Sequence, residues 1–111
     1  MATEDDVRRI ALSLPETAEK PSYGTPGFRV ADRLFARLRE DGESLVVYVA
    51  DEGEKQALLQ SDSELYFTTP HYDGHASILV RWQRIGIQEL TELLTDAWRT
   101  RAPKRVLKLY G

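Results

Sequence analysis

A chain of 111 residues with 41% hydrophobic content can fill one core, so a single domain over residues 1–111 is expected. Fifteen Lys and Arg against 18 Asp and Glu leave a formal charge of -3, which excludes an overall positive field and leaves any nucleic-acid affinity to a local patch. The lack of cysteine excludes disulfides, thiolate metal sites and cysteine nucleophiles; the acidic opening Met1-Ala2-Thr3-Glu4-Asp5-Asp6 is unlike a signal peptide; and no run reaches the roughly 18 apolar residues of a membrane span. A cytoplasmic protein without a membrane partner is therefore expected.

Thr3 can cap a first helix, with Asp6 closing a box-like pattern and Val7, Ile10, Ala11 and Leu14 forming one apolar stripe. Pro15 ends it. From Pro15 to Pro26 three prolines and Gly24 predict an irregular connection. Alternation then predicts a three-strand meander: Phe28 to Val30, a turn at Ala31-Asp32-Arg33, Leu34 to Arg39, an acidic turn at Glu40-Asp41-Gly42-Glu43, and Ser44 to Val49. Asp51 can cap a short second helix, with Glu54 at the capping-box position.

The stretch from Leu65 to Trp82 reads as a hairpin. Two runs rich in aromatic and β-branched residues, Leu65 to Thr68 and Ser77 to Trp82, flank Pro70 and Asp73-Gly74. A third helix follows, with Ile87, Leu90, Leu93, Leu94, Ala97 and Trp98 on one side, acidic residues early, and Arg99 and Arg101 late, as the helix dipole favours. Pro103 suits the first turn of a last helix, Lys104 to Tyr110. The order helix, three strands, helix, two strands, helix predicts an α+β two-layer sandwich, with a five-stranded, mainly antiparallel sheet and helices on one face.

Period-two alternation places Arg29, Phe35, Arg37, Arg39, Val46, Tyr48, Leu79 and Arg81 on the face away from the helices. Arginines there can hold phosphates while Phe35 and Tyr48 stack a base or fill a partner's pocket. The bland alternative pairs the arginines with acids such as Glu40 and Glu43. The basic ending Arg99, Arg101, Lys104, Arg105 and Lys108 is either helix-end chemistry or a further phosphate contact.

An ordered set of motifs resembles the MmcQ/YjbR family: Ala11-Leu12-Ser13-Leu14-Pro15, Phe28-Arg29-Val30, Leu34-Phe35-Ala36, the loop Thr69-Pro70-His71-Tyr72-Asp73-Gly74, Ile78-Leu79-Val80, Ala97-Trp98-Arg99 and Ala102-Pro103-Lys104-Arg105. The resemblance implies a two-layer helix-and-sheet fold and DNA binding through two hairpin wings. Carried onto this chain, the wings are the Ala31-Asp32-Arg33 turn with Arg29 and Arg37, and the turn from His71 to His75. The acidic Glu40 to Glu43 turn departs from a phosphate-binding surface.

A metal reading of His71, Asp73 and His75 competes with one in which His71 and Tyr72 pack to fix the loop; no metal or cofactor is expected. Ser22-Tyr23-Gly24 lacks the context of a hydrolase nucleophile, and no glycine spacing matches a phosphate loop, so no enzyme is expected. The resulting expectation is weak DNA binding through backbone phosphates by Arg29, Arg33, Arg37, Arg39, Tyr48, Arg81, Lys104 and Arg105. The alternative is a module that docks a protein partner or a second copy on the same face.

Overall fold

The structure is a computed structural model that describes residues 2–110, the side chain of Tyr110 excepted. Helix α1 (Glu4–Leu12) is followed by strands β1 (Thr17–Ser22), β2 (Thr25–Val30), β3 (Arg33–Leu38) and β4 (Ser44–Tyr48). Then come α2 (Glu52–Ser61), β5 (Tyr66–Phe67), β6 (Ser77–Arg81), α3 (Ile87–Arg101) and α4 (Lys104–Tyr110). The strands form one antiparallel sheet in the order β1-β2-β3-β4-β6-β5. The α+β class and the helical layer are as expected; the sheet has six strands where the sequence predicts five.

The extra strand is β1, in the segment expected to be irregular. Its prolines do not break the ladder. Pro21 faces Pro26 one position from the turn-closing pair Ser22 and Thr25, a non-hydrogen-bonded site of an antiparallel ladder, and β1 is an edge. Gly27 makes the pairing close, because a Cβ there would lie 2.9 Å from Ser22 Cβ and 3.0 Å from the Lys20 carbonyl oxygen. Gly27→Ala is expected to cost about 1–2 kcal/mol by overpacking. A denaturant midpoint equal to that of the parent chain would contradict this reading of β1.

Local chemistry fixes the helix ends. Thr3 Oγ1 accepts from the Asp6 N–H at 3.2 Å while the Asp6 carboxylate accepts from the Thr3 N–H at 2.9 Å, a reciprocal capping box. Asp51 caps α2 by accepting from the Glu54 N–H at 2.8 Å. Helix α3 packs across β3 and β4, and α1 packs on α3 and β1. The core between these layers holds Phe28, Val30, Leu45, Val47, Ile78, Val80, Leu90, Leu94 and Trp98. The Trp98 indole N–H donates to the Pro15 carbonyl at 2.9 Å, tying α3 to the end of the first connection.

One strand departs from plain alternation. Phe28 faces Ala36 while Arg29 faces Leu34, so Phe35 is an extra residue opposite the β2 ladder, a β-bulge. The bulge turns Phe35, expected on the second face, into the core, where its exposure is 0%. Leu34 takes the outward position instead and lines the cleft described below. A bulge of this kind shifts the face of every residue before it, which period-two reasoning cannot anticipate.

Candidate functional site

The second face of the sheet is not bare. Val46 and Leu79, both expected on it, are buried there without joining the main core. Residues 68–76, which join β5 to β6, fold back across this face instead of projecting as a wing. Their turn is held by N–H donation from Tyr72 and Asp73 to the Thr69 carbonyl and from His75 to the Tyr72 carbonyl. The Thr68 hydroxyl donates to Asp73 Oδ1 at 3.2 Å, and His71 packs edge-on against Tyr72 with ring centroids 4.8 Å apart. Gly74, at φ +84, supplies the left-handed residue of the turn.

Two charged side chains lock this loop from opposite sides. Arg37 reaches up from β3: Nη2 donates to the Tyr72 hydroxyl at 2.8 Å, and Nη1 to Glu40 Oε1 at 3.1 Å and to the Leu38 carbonyl at 3.3 Å. Arg37 was expected outward and is only 8% exposed, because the returning loop and Glu40 enclose it. Lys55 reaches in from α2: Nζ donates to the Tyr72 carbonyl at 2.7 Å and the His75 carbonyl at 3.0 Å.

Between this loop and the β1–β2 turn lies a cleft of about 650 Å³. Its floor is Leu34, Val46 and Tyr48; Tyr23 stands on one side; Tyr72, His71 and His75 form the other. Tyr23 is 82% exposed and sits with Gly24 in a two-residue turn, both residues at positive φ (55° and 80°). A tyrosine in that region costs about 1 kcal/mol relative to glycine, so the ring is held outward against a local preference. The Arg37 guanidinium lies 5.0 Å from the Tyr23 ring centroid, and that of Arg101 lies 4.6 Å from Tyr48. Arg101 is fixed by Nε donation to the Leu34 carbonyl at 2.9 Å.

The other expected contact residues distribute around this cleft. Arg39 lines it, donates to Asp41 Oδ2 and Ser44 Oγ, both at 3.2 Å, and lies 5.9 Å from the Tyr72 ring. Arg81 stacks on Phe67 at 4.2 Å and donates to the Glu64 carbonyl at 3.1 Å. Beyond the Leu34 end of the cleft, Arg29, which faces Leu34 across the ladder, donates to the Asp32 carbonyl at 3.3 Å, Arg33 to the Arg101 carbonyl at 3.5 Å, and Arg105 to Glu16 Oε1 at 3.1 Å. Lys104 is exposed beside it in sequence. The structure thus joins Tyr48, Arg37, Arg39 and the His71 to His75 loop at one cleft. It also adds Tyr23, absent from the sequence-based set, and brings Arg101, expected only as part of the basic ending, over the Tyr48 ring. Tyr23 had a legible signal, a Tyr-Gly pair between two short polar runs that can close a two-residue hairpin; Arg101 stood out in the basic ending, but its reach to Tyr48 depends on where α3 ends.

Electrostatics within the cleft are balanced. The Glu40 carboxyl is held below its ordinary range, first by a hydrogen bond from its own backbone N–H and then by Arg37. Burial works against the charge of Asp41, yet donation from Ser44, from the Glu43 and Ser44 N–H groups and the charge of Arg39 keep its carboxyl low. A depressed folded-state value contributes stability that is complete above the ordinary carboxylate range and is lost as pH falls through the lower, folded value. Melting temperature should therefore fall between about pH 5 and pH 3, with Glu40→Gln showing a shallower decline. A decline identical in the variant would remove Glu40 from the set of groups responsible.

Among the described residues no three of His, Asp and Glu gather closely enough to hold a metal ion. A second depression of about 680 Å³ between α2 and α3 is lined by Glu54, Glu89, Glu92 and Asp96 and would repel phosphate. No helix among the described residues is long and apolar enough to cross a membrane.

Fold and site together define a two-layer α+β domain whose six-stranded sheet carries an arginine-ringed aromatic cleft on the side away from its main helices. The chain belongs to the YjbR family, whose family model matches residues 12–100. It is 39% identical over 127 aligned residues to uncharacterized proteins of Mycobacterium bovis and Mycobacterium tuberculosis, covering 99% of this chain and 96% of each relative. Its fold is similar to the crystal structure of the Deinococcus radiodurans protein DR2400, which carries the family-model domain DUF419. There the TM-score is 0.77 at 21% identity, over 98% of this chain and 88% of the other.

Proposed function

We propose that the chain binds DNA weakly through the second face of its sheet, with the aromatic cleft as the point of recognition and the surrounding arginines as phosphate contacts. The observation that carries this reading is the presence in one cleft of two tyrosines, Tyr23 on its wall and Tyr48 on its floor, each with a guanidinium over its ring, Arg37 on the first and Arg101 on the second. Aromatic faces stack bases, and arginines elsewhere on the surface meet the phosphates. Arg37 is spent on Glu40 and Tyr72, so its part is to position the loop and Tyr23. Arg39 is likewise spent on Asp41 and Ser44, so phosphates fall to Arg29 and Arg81 on this face, with Arg33, Lys104 and Arg105 at and beyond the sheet end. Few contacts and a net charge of -3 make the binding weak.

The test is fluorescence anisotropy of labelled DNA across a salt series. Log affinity should fall linearly with log salt, each phosphate contributing about 0.9 to the slope on duplex or about 0.7 on single strands. Arg29→Glu with Arg33→Glu should abolish binding. Absence of binding at low salt, or affinity unchanged in that double variant, contradicts the proposal. The same cleft has an apolar floor of Leu34, Val46 and Tyr48, which also suits a protein side chain or a second copy. Sedimentation without nucleic acid separates the two readings, since only the second gives a mass that rises with concentration.

A further inference from the structure

Resting on that reading, we infer that the cleft receives a single unpaired nucleobase, so that the protein selects single-stranded or unpaired DNA over intact duplex. The charge balance points this way. Arg37 and Arg39 already donate to Glu40 and Asp41, which leaves the interior nearly neutral, aromatic and polar. A phosphate gains little from such a cavity; a base gains stacking and hydrogen bonds. The Glu40 carboxylate offers acceptors and the Ser77 hydroxyl and two imidazoles offer both kinds of group, a mixture that matches the edge of a base better than a uniformly anionic group.

Stacking partners are in place. Tyr23 and Tyr48 each carry a guanidinium over the ring, and Tyr23, 82% exposed, keeps most of its ring surface for a flat ligand. The cleft volume of about 650 Å³ lies within the range of small-molecule sites and admits a nucleotide. Its walls decide against paired DNA. The Tyr23-Gly24 turn and residues 68–76 rise on both sides of a floor at Val46 and Tyr48, so a base reaches the floor only after leaving its stack. Cations outside the cleft, Arg29 and Arg33, then meet the flanking phosphates.

The experiment uses the full chain with a short oligothymidylate carrying one central 2-aminopurine, as a single strand and annealed to its complement. The single strand should bind at least tenfold more tightly than the duplex, with 2-aminopurine fluorescence quenched on binding. Tyr23→Ala should weaken single-strand binding by about five- to a hundredfold, the cost of one lost stack, with unchanged melting temperature because the ring is exposed. Tyr48→Phe, which keeps the ring, should bind as the parent chain does. Duplex bound equally or more tightly, or single-strand affinity unmoved by Tyr23→Ala, overturns the inference while leaving DNA binding in place. Binding of neither form at low salt overturns both.

Discussion

Replacing Phe35 by alanine is expected to destabilise the protein by about 3–5 kcal/mol, the range for a fully buried aromatic ring. The contrast with its neighbour makes the measurement specific. Leu34→Ala, on the outward side of the same bulge and only half-buried, should cost under about 1.5 kcal/mol, a partial transfer loss with no sealed cavity. Were β3 to alternate without a bulge, the order of the two would reverse, since Phe35 would share the face of Arg37 and Leu34 would share that of Ala36. Urea denaturation of the two variants decides it. A Phe35→Ala midpoint close to that of the parent chain, with Leu34→Ala well below it, would place the wrong residue in the core.

That reversal shows where the sequence is legible and where it is not. Helix α1 is readable because everything that makes it is local: the Thr3 and Asp6 box, the stripe of Val7, Ile10 and Ala11, and Pro15 beyond its end. Strands β4 and β6 are readable because both faces carry apolar residues over a short run. Strand β3 is harder, because Leu34-Phe35-Ala36-Arg37-Leu38 satisfies period two in one frame throughout, and only the pairing with β2 inserts the extra residue. Strand β1 is hidden by Pro21, which argues against a central strand but is tolerated on an edge. The cleft is half legible. Arg37, Arg39 and Tyr48 follow from alternation, whereas the return of residues 68–76 over them is a tertiary event. Its hold on Arg37 converts an expected phosphate ligand into an internal strut.

Lys55 carries the second large effect, and it explains why the loop returns. Its α2 neighbours Leu58 and Leu59 lie three and four residues on and pack against the core, so Lys55 occupies a position of the helix that an apolar residue would ordinarily take. It is 1% exposed, and among the described residues no carboxylate pairs with it. The burial cost of its charge is offset by the carbonyls of Tyr72 and His75, which it draws inward. Lys55→Ala leaves a cavity and two carbonyls without a donor, and is expected to cost about 3 kcal/mol. Lys55→Met keeps most of the volume and removes the buried charge, so its global loss should be smaller, while the same carbonyls still lose their donor. Both variants should therefore speed amide hydrogen exchange at residues 69–77 far more than in β4 or α3, since the loop opens before the core does. Both should also weaken the DNA binding proposed for the cleft, whose Tyr72 and His75 walls depend on that loop. Exchange in residues 69–77 unchanged by either substitution would show that Arg37 alone secures the loop, and that the buried ammonium does not shape the cleft.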